Sequence, residues 1–218
     1  MKLAIKTLLA LAITAASVSA MATPALPTYQ PITIDFEGVN SFDSIGNYYN
    51  GGTDTVGNSG SNYGVSFTPA VMGLANDDAG TYFVNAPSPM NVMYASDVSA
   101  FMNVAIGFTD AASFYYSSTT SAPNAIQIFS DLNGTGSLLG SFSLNQNTPL
   151  NCTGATYCNF EKTTVMFSGL AKSIAFGGNN GSVAFDDVTI TPVPEASSYA
   201  MLALGLGALG LYARRRPV

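Results

Sequence analysis

The chain contains 218 residues, of which 47% are hydrophobic and only 9% are charged, and it has neither histidine nor tryptophan. Residues 23–192 carry 12 acidic side chains and only two basic ones, Lys162 and Lys172, so this part of the chain has a net charge of −10. A nucleic-acid-binding protein is excluded because phosphates are bound through lysine and arginine, and the missing histidine excludes Ser-His-Asp or Cys-His catalysis and any zinc site with a histidine ligand.

Residues 1–22 have the layout of a secretory signal peptide. Lys2 and Lys6 supply a positive start, an apolar stretch follows, and small residues up to Ala22 provide cleavage sites. The alternative is a membrane anchor, but the apolar stretch is too short for a stable span and is followed by proline-rich polar sequence. We therefore expect signal peptidase to remove residues 1–22. Residues 23–192 then form one exported domain, which is long enough for a full core.

Alternation of apolar and polar residues dominates this domain, with β-branched and aromatic residues in short runs. No segment of it keeps a helical period, and turn residues recur about every 8–12 residues, as in a sandwich or barrel. Between two of the runs, Asn133-Gly134 supplies the positive φ of a tight hairpin turn. The pattern predicts an all-β fold, an antiparallel two-sheet sandwich of the jelly-roll kind. The candidate strands are residues 31–37, 63–67, 81–85, 91–94, 100–108, 113–117, 125–130, 137–144, 163–167, 172–176 and 182–191.

Residues 46–64 interrupt the alternation with six glycines and three tyrosines, Tyr48, Tyr49 and Tyr63. A loop of this length inside a compact domain is usually functional or disordered. Tyrosine offers an apolar face and a polar tip, which suits both sugar rings and protein surfaces. The three tyrosines are therefore candidate ligand contacts, and packing in the core is the alternative.

The two cysteines, Cys152 and Cys158, lie in a loop rich in glycine and threonine. In an exported protein an even pair at this spacing predicts a local disulfide bond. A redox-active pair is the alternative, but no neighbouring cation is present to lower the pKa of a thiol.

Four carboxylates near the ends of the domain are candidate metal ligands. Asp35 and Glu37 lie on one face of the first predicted strand, because side chains alternate with a period of two. If the first and last strands pair, Asp186 or Asp187 approaches Glu37. Calcium takes roughly six to eight oxygen ligands, which such a cluster and nearby carbonyls would supply. A structural Ca²⁺ is therefore predicted, and solvated carboxylates at a strand edge are the alternative.

The same carboxylates raise the question of a glycoside hydrolase, which needs two of them, about 5–9.5 Å apart, one in a pocket that raises its pKa. The exported domain has only two glutamates, Glu37 and Glu161, and no tryptophan to line a sugar subsite. We therefore expect no enzyme.

The last part of the chain, residues 193–218, has three pieces. A short motif is followed by 18 uncharged residues, 196–213, and then by three arginines. An uncharged stretch of this length lies at the lower end of the roughly 17–25 residues that cross a bilayer as a helix. The arginines would remain on the cytoplasmic side. The motif residues are Val193, Pro194, Glu195 and Ala196, and the basic residues are Arg214, Arg215 and Arg216.

This arrangement resembles the PEP-CTERM sorting tail of Gram-negative bacteria, with Pro194-Glu195 as the first two letters of its motif. In that family an exosortase, a membrane-embedded cysteine protease, recognises Pro-Glu-Pro and removes the helix. Ala196 replaces the second proline here. The resemblance implies a precursor anchored in the inner membrane, an exosortase-like processing enzyme as partner, and delivery to the cell envelope, the outer surface or the extracellular matrix.

Ile34-Asp-Phe-Glu37 and Phe185-Asp-Asp-Val188 also resemble the first and last strands of jelly-roll adhesion and carbohydrate-binding modules. In those modules the two strands meet and often share a structural calcium. We therefore expect a non-enzymatic protein of the envelope or matrix with a structural or adhesive role, in contact with extracellular polysaccharide. A specific carbohydrate-binding module is the first alternative and a glycoside hydrolase the second.

Overall fold

The computed structural model describes residues 30–78, 80–148, 152–177, 181–193, 201–207 and 209–210. Residues 201–207 and 209–210 are helical and exposed, and there is a 3₁₀ turn at Leu132–Gly134. The predicted signal peptide, the motif residues Pro194 to Ala196 and the arginines 214–216 lie outside the described residues. The strands of the described part are β1 (Ile32–Ile34), β2 (Val65–Phe67), β3 (Val71–Ala75), β4 (Phe83–Val84), β5 (Asn91–Ala95), β6 (Phe101–Ser118), β7 (Ala122–Phe129), β8 (Leu138–Leu144), β9 (Tyr157–Cys158), β10 (Glu161–Met166), β11 (Ala171–Ala175) and β12 (Val183–Pro192).

The fold is antiparallel and mostly β, as predicted, and β6 connects its two halves. The first half of β6 pairs with β2 and β11, and its second half pairs with β12 and β10. The main path of paired strands runs in the order β3-β5-β12-β6-β11-β7-β8. Gly107 and Asp110 have φ of 84° and 73° at the point where β6 changes partners. Phe176, next to β11, packs against Phe185 of β12 with ring centroids 5.0 Å apart, so the two halves share one core.

The strands β3 and β9 were not predicted from the sequence, and two predicted strands form a single strand in the structure. The segments 100–108 and 113–117 form the single strand β6, which continues through Asp110 although its partners change there. The strand β3 lacks alternation because both of its faces are covered: Val71 lies in the main core and Leu74 in a second cluster. β9 is too short to show any period, and it pairs with β4 in parallel.

The second cluster covers the other face of β3, β5 and β12. Side chains of these strands alternate between the two clusters, so that Met93 belongs to the main core and Val92 to the second cluster. The small β4–β9 sheet contributes Phe83 and Tyr157 to the second cluster. The predicted disulfide between Cys152 and Cys158 is confirmed and lies beside this sheet, with a Cα–Cα distance of 6.1 Å.

The first and last strands pair, as predicted. Ile32 is opposite Ile190 and Ile34 is opposite Val188. A bulge follows Asp186, where Asp187 has φ of 48°, and beyond it the register of β12 shifts. The bulge keeps both Phe185 and Val188 in the main core although they are three residues apart.

Candidate functional site

An open cleft lined mainly by aromatic rings lies over the second cluster. Its volume is about 190 Å³. We call it the aromatic cleft. It is lined by Phe42, Leu74, Tyr82, Tyr94, Thr156, Tyr157 and Gly181.

Phe42 forms the outer wall of the aromatic cleft. Its side chain is 50% exposed, and its φ of 61° places it in the left-handed region. A non-glycine residue held there is strained by roughly 1–3 kcal/mol, and such residues cluster at functional sites. The backbone is fixed by two hydrogen bonds to Gly73, whose carbonyl accepts from Phe42 N at 2.9 Å and whose N–H donates to the Asp43 carbonyl at 2.9 Å. Gly73 is required here because a Cβ would overlap the Asn40 carbonyl oxygen.

Two tyrosines face Phe42. The rings of Tyr82 and Tyr94 lie edge-on to it, with centroids 5.2 Å and 6.4 Å away. Asn76 positions Tyr82, because its Oδ1 accepts from Tyr82 N at 2.8 Å and its Nδ2 donates to the Phe83 carbonyl at 2.8 Å. Burial raises the pKa of Tyr94, so this hydroxyl stays protonated at neutral pH. Within the described residues, neither the Tyr82 nor the Tyr94 hydroxyl has a hydrogen-bond partner.

The disulfide loop forms the third wall. The backbone N–H groups of Thr156 and Tyr157 both donate to the Tyr82 carbonyl, at 2.9 and 3.0 Å. The Tyr157 hydroxyl donates to the Gly181 carbonyl, and burial raises the pKa of Tyr157 to about 12. The aromatic cleft therefore has one tyrosine hydroxyl bonded to the protein and two without a partner among the described residues. None of its described lining residues is charged.

The predicted calcium ligands surround a different segment, residues 88–91. Oδ2 of Asp186 accepts from Ser88 N at 2.9 Å, and Oδ1 of Asp187 accepts from the Ser88 hydroxyl at 2.9 Å. Oε1 of Glu37 accepts from the N–H groups of Met90 and Asn91, at 3.0 and 3.1 Å. Glu37, three residues after β1, and Asp186 and Asp187 of β12 thus hold the same loop.

Hydrogen bonds engage an oxygen of each of these four carboxylates. Asp186 is fully buried, and its second oxygen accepts from Asp187 N at 2.8 Å, so both oxygens already receive N–H donors. Asp35 is exposed and accepts from Glu37 N. Across the described residues, no group of three acidic or cysteine side chains is close enough to hold a metal ion. The calcium site stays a prediction from the sequence.

The tyrosines of residues 46–64 pack inward. Tyr48 and Tyr49 are only 7% and 3% exposed, and Tyr63 stacks on Tyr49 with centroids 6.1 Å apart. The Tyr48 hydroxyl donates to the Glu37 carbonyl, whereas the Tyr49 hydroxyl is buried without a partner among the described residues. Tyr48 and Tyr49 therefore present no ring face to a ligand. Both side chains pack in the core, which was the alternative to ligand binding. The glycines let the loop fold tightly around their rings, since a Cβ on Gly60 would overlap the Tyr48 ring.

The C-terminal part of the chain matches a known motif: residues 192–216 carry the PEP-CTERM protein-sorting motif. The motif identifies an exported protein that is anchored by its C-terminus before processing. No described helix is long and apolar enough to cross a membrane, and the predicted span 196–213 is described only at 201–207 and 209–210.

Comparison with curated protein sequences gives no match. Among solved structures, the chain is similar to the K2 cleaved adhesin domain of Lys-gingipain, with 12% identity, 74% of this chain and 99% of that chain covered, and a TM-score of 0.47. It is also similar to a carbohydrate-binding module from Clostridium stercorarium solved with cellobiose, with 11% identity, 74% and 94% covered, and a TM-score of 0.40. A family 29 module from Piromyces equi has 8% identity, 75% and 91% covered, and a TM-score of 0.37. We draw no functional conclusion from similarities at this level.

Proposed function

We propose that this exported protein is non-enzymatic and binds a neutral carbohydrate in the aromatic cleft. The observation that carries the proposal is Phe42, an exposed aromatic residue held in a strained conformation beside two tyrosines. An exposed ring at a strained position is costly to the free protein, so a ligand that covers the ring is the simplest reason for it. The apolar face of a sugar ring packs on such aromatic faces, and its hydroxyls pair with tyrosine hydroxyls.

The charge of the domain favours a neutral ligand. No lysine or arginine is among the described residues that line the aromatic cleft, and the domain around it has a net charge of −10. A saccharide with carboxylate or sulfate groups would meet this negative field without a cation to pair with. Neutral extracellular polysaccharide is therefore the proposed partner, and a structural or adhesive role at the cell surface or in the matrix follows from binding it.

The hydroxyl and amide chemistry of the site supports binding rather than hydrolysis. Among the residues that the structure describes, no carboxylate lines the aromatic cleft. The oxygens of Glu37 and Asp186 that accept hydrogen bonds do so from backbone N–H groups of residues 88–91 and 187, so these two carboxylates serve to hold a loop.

Affinity electrophoresis of the full chain in gels containing neutral or acidic polysaccharides tests the proposal. We expect retardation by at least one neutral polysaccharide and none by polygalacturonate. Phe42→Ala should weaken the binding about five- to tenfold, the factor that corresponds to an aromatic contact of roughly 1 kcal/mol. Val56→Ala, which removes an equally exposed apolar side chain (53%) outside the cleft, is the matched control. Equal binding by the wild type and Phe42→Ala would refute the site, and preference for the acidic polymer would refute the ligand class.

Sorting is tested separately. We propose that an exosortase-like enzyme processes the tail at the motif despite Ala196, after signal peptidase has acted at the N-terminus. Cells that express the wild type, Glu195→Ala or the wild type without exosortase are fractionated, and the mass of the protein is measured. Identical mass and distribution in all three would contradict processing.

A further inference from the structure

A second cleft, which we call the amide cleft, lies over the neighbouring strands β6, β11 and β7. Its volume is also about 190 Å³, and it shares no residue with the aromatic cleft. Its lining includes Phe101, Asn124, Gln127, Phe129, Gly134 and Ala175.

The floor of the amide cleft is a row of side chains that the strand register places side by side. Ala175 of β11 is opposite Phe101 of β6 on one side and opposite Gln127 of β7 on the other. Across these three neighbouring strands, a small side chain thus lies between two large ones. Strands lie about 4.8 Å apart, so Phe101 and Gln127 stand about 10 Å apart with only a methyl group between them. The row forms a trough, and Phe129, two residues beyond Gln127 on the same face of β7, extends it.

The hairpin turn at Leu132–Gly134 forms one wall. Asn133 and Asn103 exchange two hydrogen bonds, at 2.7 and 2.8 Å, and Gly134 N donates to the Ser173 hydroxyl at 3.0 Å. Gly134 packs so closely that a Cβ would overlap the Phe101 ring. The turn predicted from Asn133-Gly134 therefore folds back over the sheet and fixes the ring of Phe101.

The polar groups of the amide cleft are side-chain amides. Oδ1 of Asn124 accepts from the Ser141 hydroxyl at 2.8 Å, which orients this amide and leaves its NH₂ group for a ligand. The Gln127 amide has no hydrogen-bond partner among the described residues. An amide offers a donor and an acceptor side by side, which suits neighbouring hydroxyls of a sugar. The charges that flank the amide cleft, Asp97 beside Val98 and Asp131 before the turn, are acidic, so they disfavour an anionic ligand.

We propose that the amide cleft is a second carbohydrate site and that the protein is bivalent, so that one molecule connects two strands of a neutral polysaccharide. The ligand class rests on the proposed function of the aromatic cleft, because the described lining of the amide cleft likewise combines aromatic rings with unpaired neutral polar groups and includes no cation. Two sites on one domain give a higher apparent affinity for a long polymer than either site alone.

Calorimetric titration of the full chain tests this inference. The probes are neutral hexasaccharides of glucose, mannose and xylose. We expect two equivalents of one hexasaccharide per wild-type chain. Phe42→Ala should weaken one site about five- to tenfold and leave the other equivalent at its original affinity, while Gln127→Ala should weaken that other site about tenfold, as expected for a lost hydrogen bond to the ligand. Phe129→Ala is the second variant of the amide cleft, and Gln146→Ala, an exposed glutamine elsewhere, is the control.

Cross-linking is measured as turbidity with the corresponding long polymer. The wild type should make the solution turbid, and each single-site variant should bind the polymer without turbidity. If the wild type binds only one equivalent, and Phe42→Ala weakens this binding while Gln127→Ala leaves it unchanged, the second site is overturned and the proposed function is kept. If no neutral hexasaccharide binds, the proposed function fails. Two equivalents without turbidity would overturn cross-linking alone.

Discussion

Titration of Asp186 should make the protein less stable as the pH rises toward neutrality. Burial raises the pKa of this fully buried carboxyl from 3.8 to about 7, against the opposing effect of hydrogen bonds from the backbone of Ser88 and Asp187. Because the pKa is higher in the folded state, the folded chain holds the proton more tightly than the unfolded chain. The contribution to stability is therefore complete below pH 3.8 and is lost as the pH rises through about 7. The difference corresponds to about 4 kcal/mol as an upper bound.

Asp186→Asn removes this titration. Asparagine has nearly the same volume, but it offers one acceptor oxygen where the carboxyl offers two, so one of the two N–H groups loses its partner at a cost of about 1–3 kcal/mol. The variant should therefore be less stable than the wild type near pH 4.5 and more stable above pH 8. The two stability curves cross.

Urea unfolding followed by circular dichroism between pH 4.5 and 8.5 measures both curves. Repulsion within a domain of net charge −10 also destabilises it at high pH. Asp110→Asn controls for this, because it removes one exposed carboxylate at a left-handed position that asparagine tolerates. The difference between the two variants isolates Asp186. Parallel curves for the wild type and Asp186→Asn would refute the reasoning.

Three further predictions concern the loop, the turn and the ion. Cys152→Ser should lower the free energy of unfolding by about 2 kcal/mol for so short a loop, and it should weaken binding in the aromatic cleft because Thr156 and Tyr157 lose their support; unchanged urea unfolding and binding would contradict this. Gly134→Ala should destabilise more than Gly154→Ala, since both have positive φ but only the first would overlap Phe101; equal losses of melting temperature would show that the turn does not press on the ring. If calcium binds as the sequence predicts, it should raise the melting temperature by several degrees, EDTA should reverse the rise, and Glu37→Gln should reduce it. If the carboxylates serve only to bond residues 88–91, calcium should raise the melting temperature no more than sodium chloride of equal ionic strength does. The same melting experiment decides between the two.

The fold was largely predictable because its signals are local. Alternation identified most strands, Asn133-Gly134 identified the hairpin turn, and the cysteine spacing identified the disulfide. The errors have different causes, since β9 is too short to show a period and Asp110 interrupts the apolar pattern of β6. The strand β3 is covered on both faces and therefore shows no alternation of apolar and polar residues. A search for strands with one buried face misses both β3 and the second cluster that covers its other face.

The aromatic cleft was not predictable for a different reason: its walls come from chain segments that only the pairing of strands brings together. Phe42 precedes β3, Tyr94 lies in β5, and Tyr157 lies within the disulfide loop. A glycine-rich loop with three tyrosines gave a stronger local signal, yet glycine serves there to close the backbone around buried rings. The one trace of the site in the sequence is a large aromatic residue at a position that must turn, in Asn40-Ser-Phe42-Asp43. Turn positions with positive φ favour glycine or asparagine, so a phenylalanine there is retained against the backbone preference, and that conflict is what a binding surface would produce.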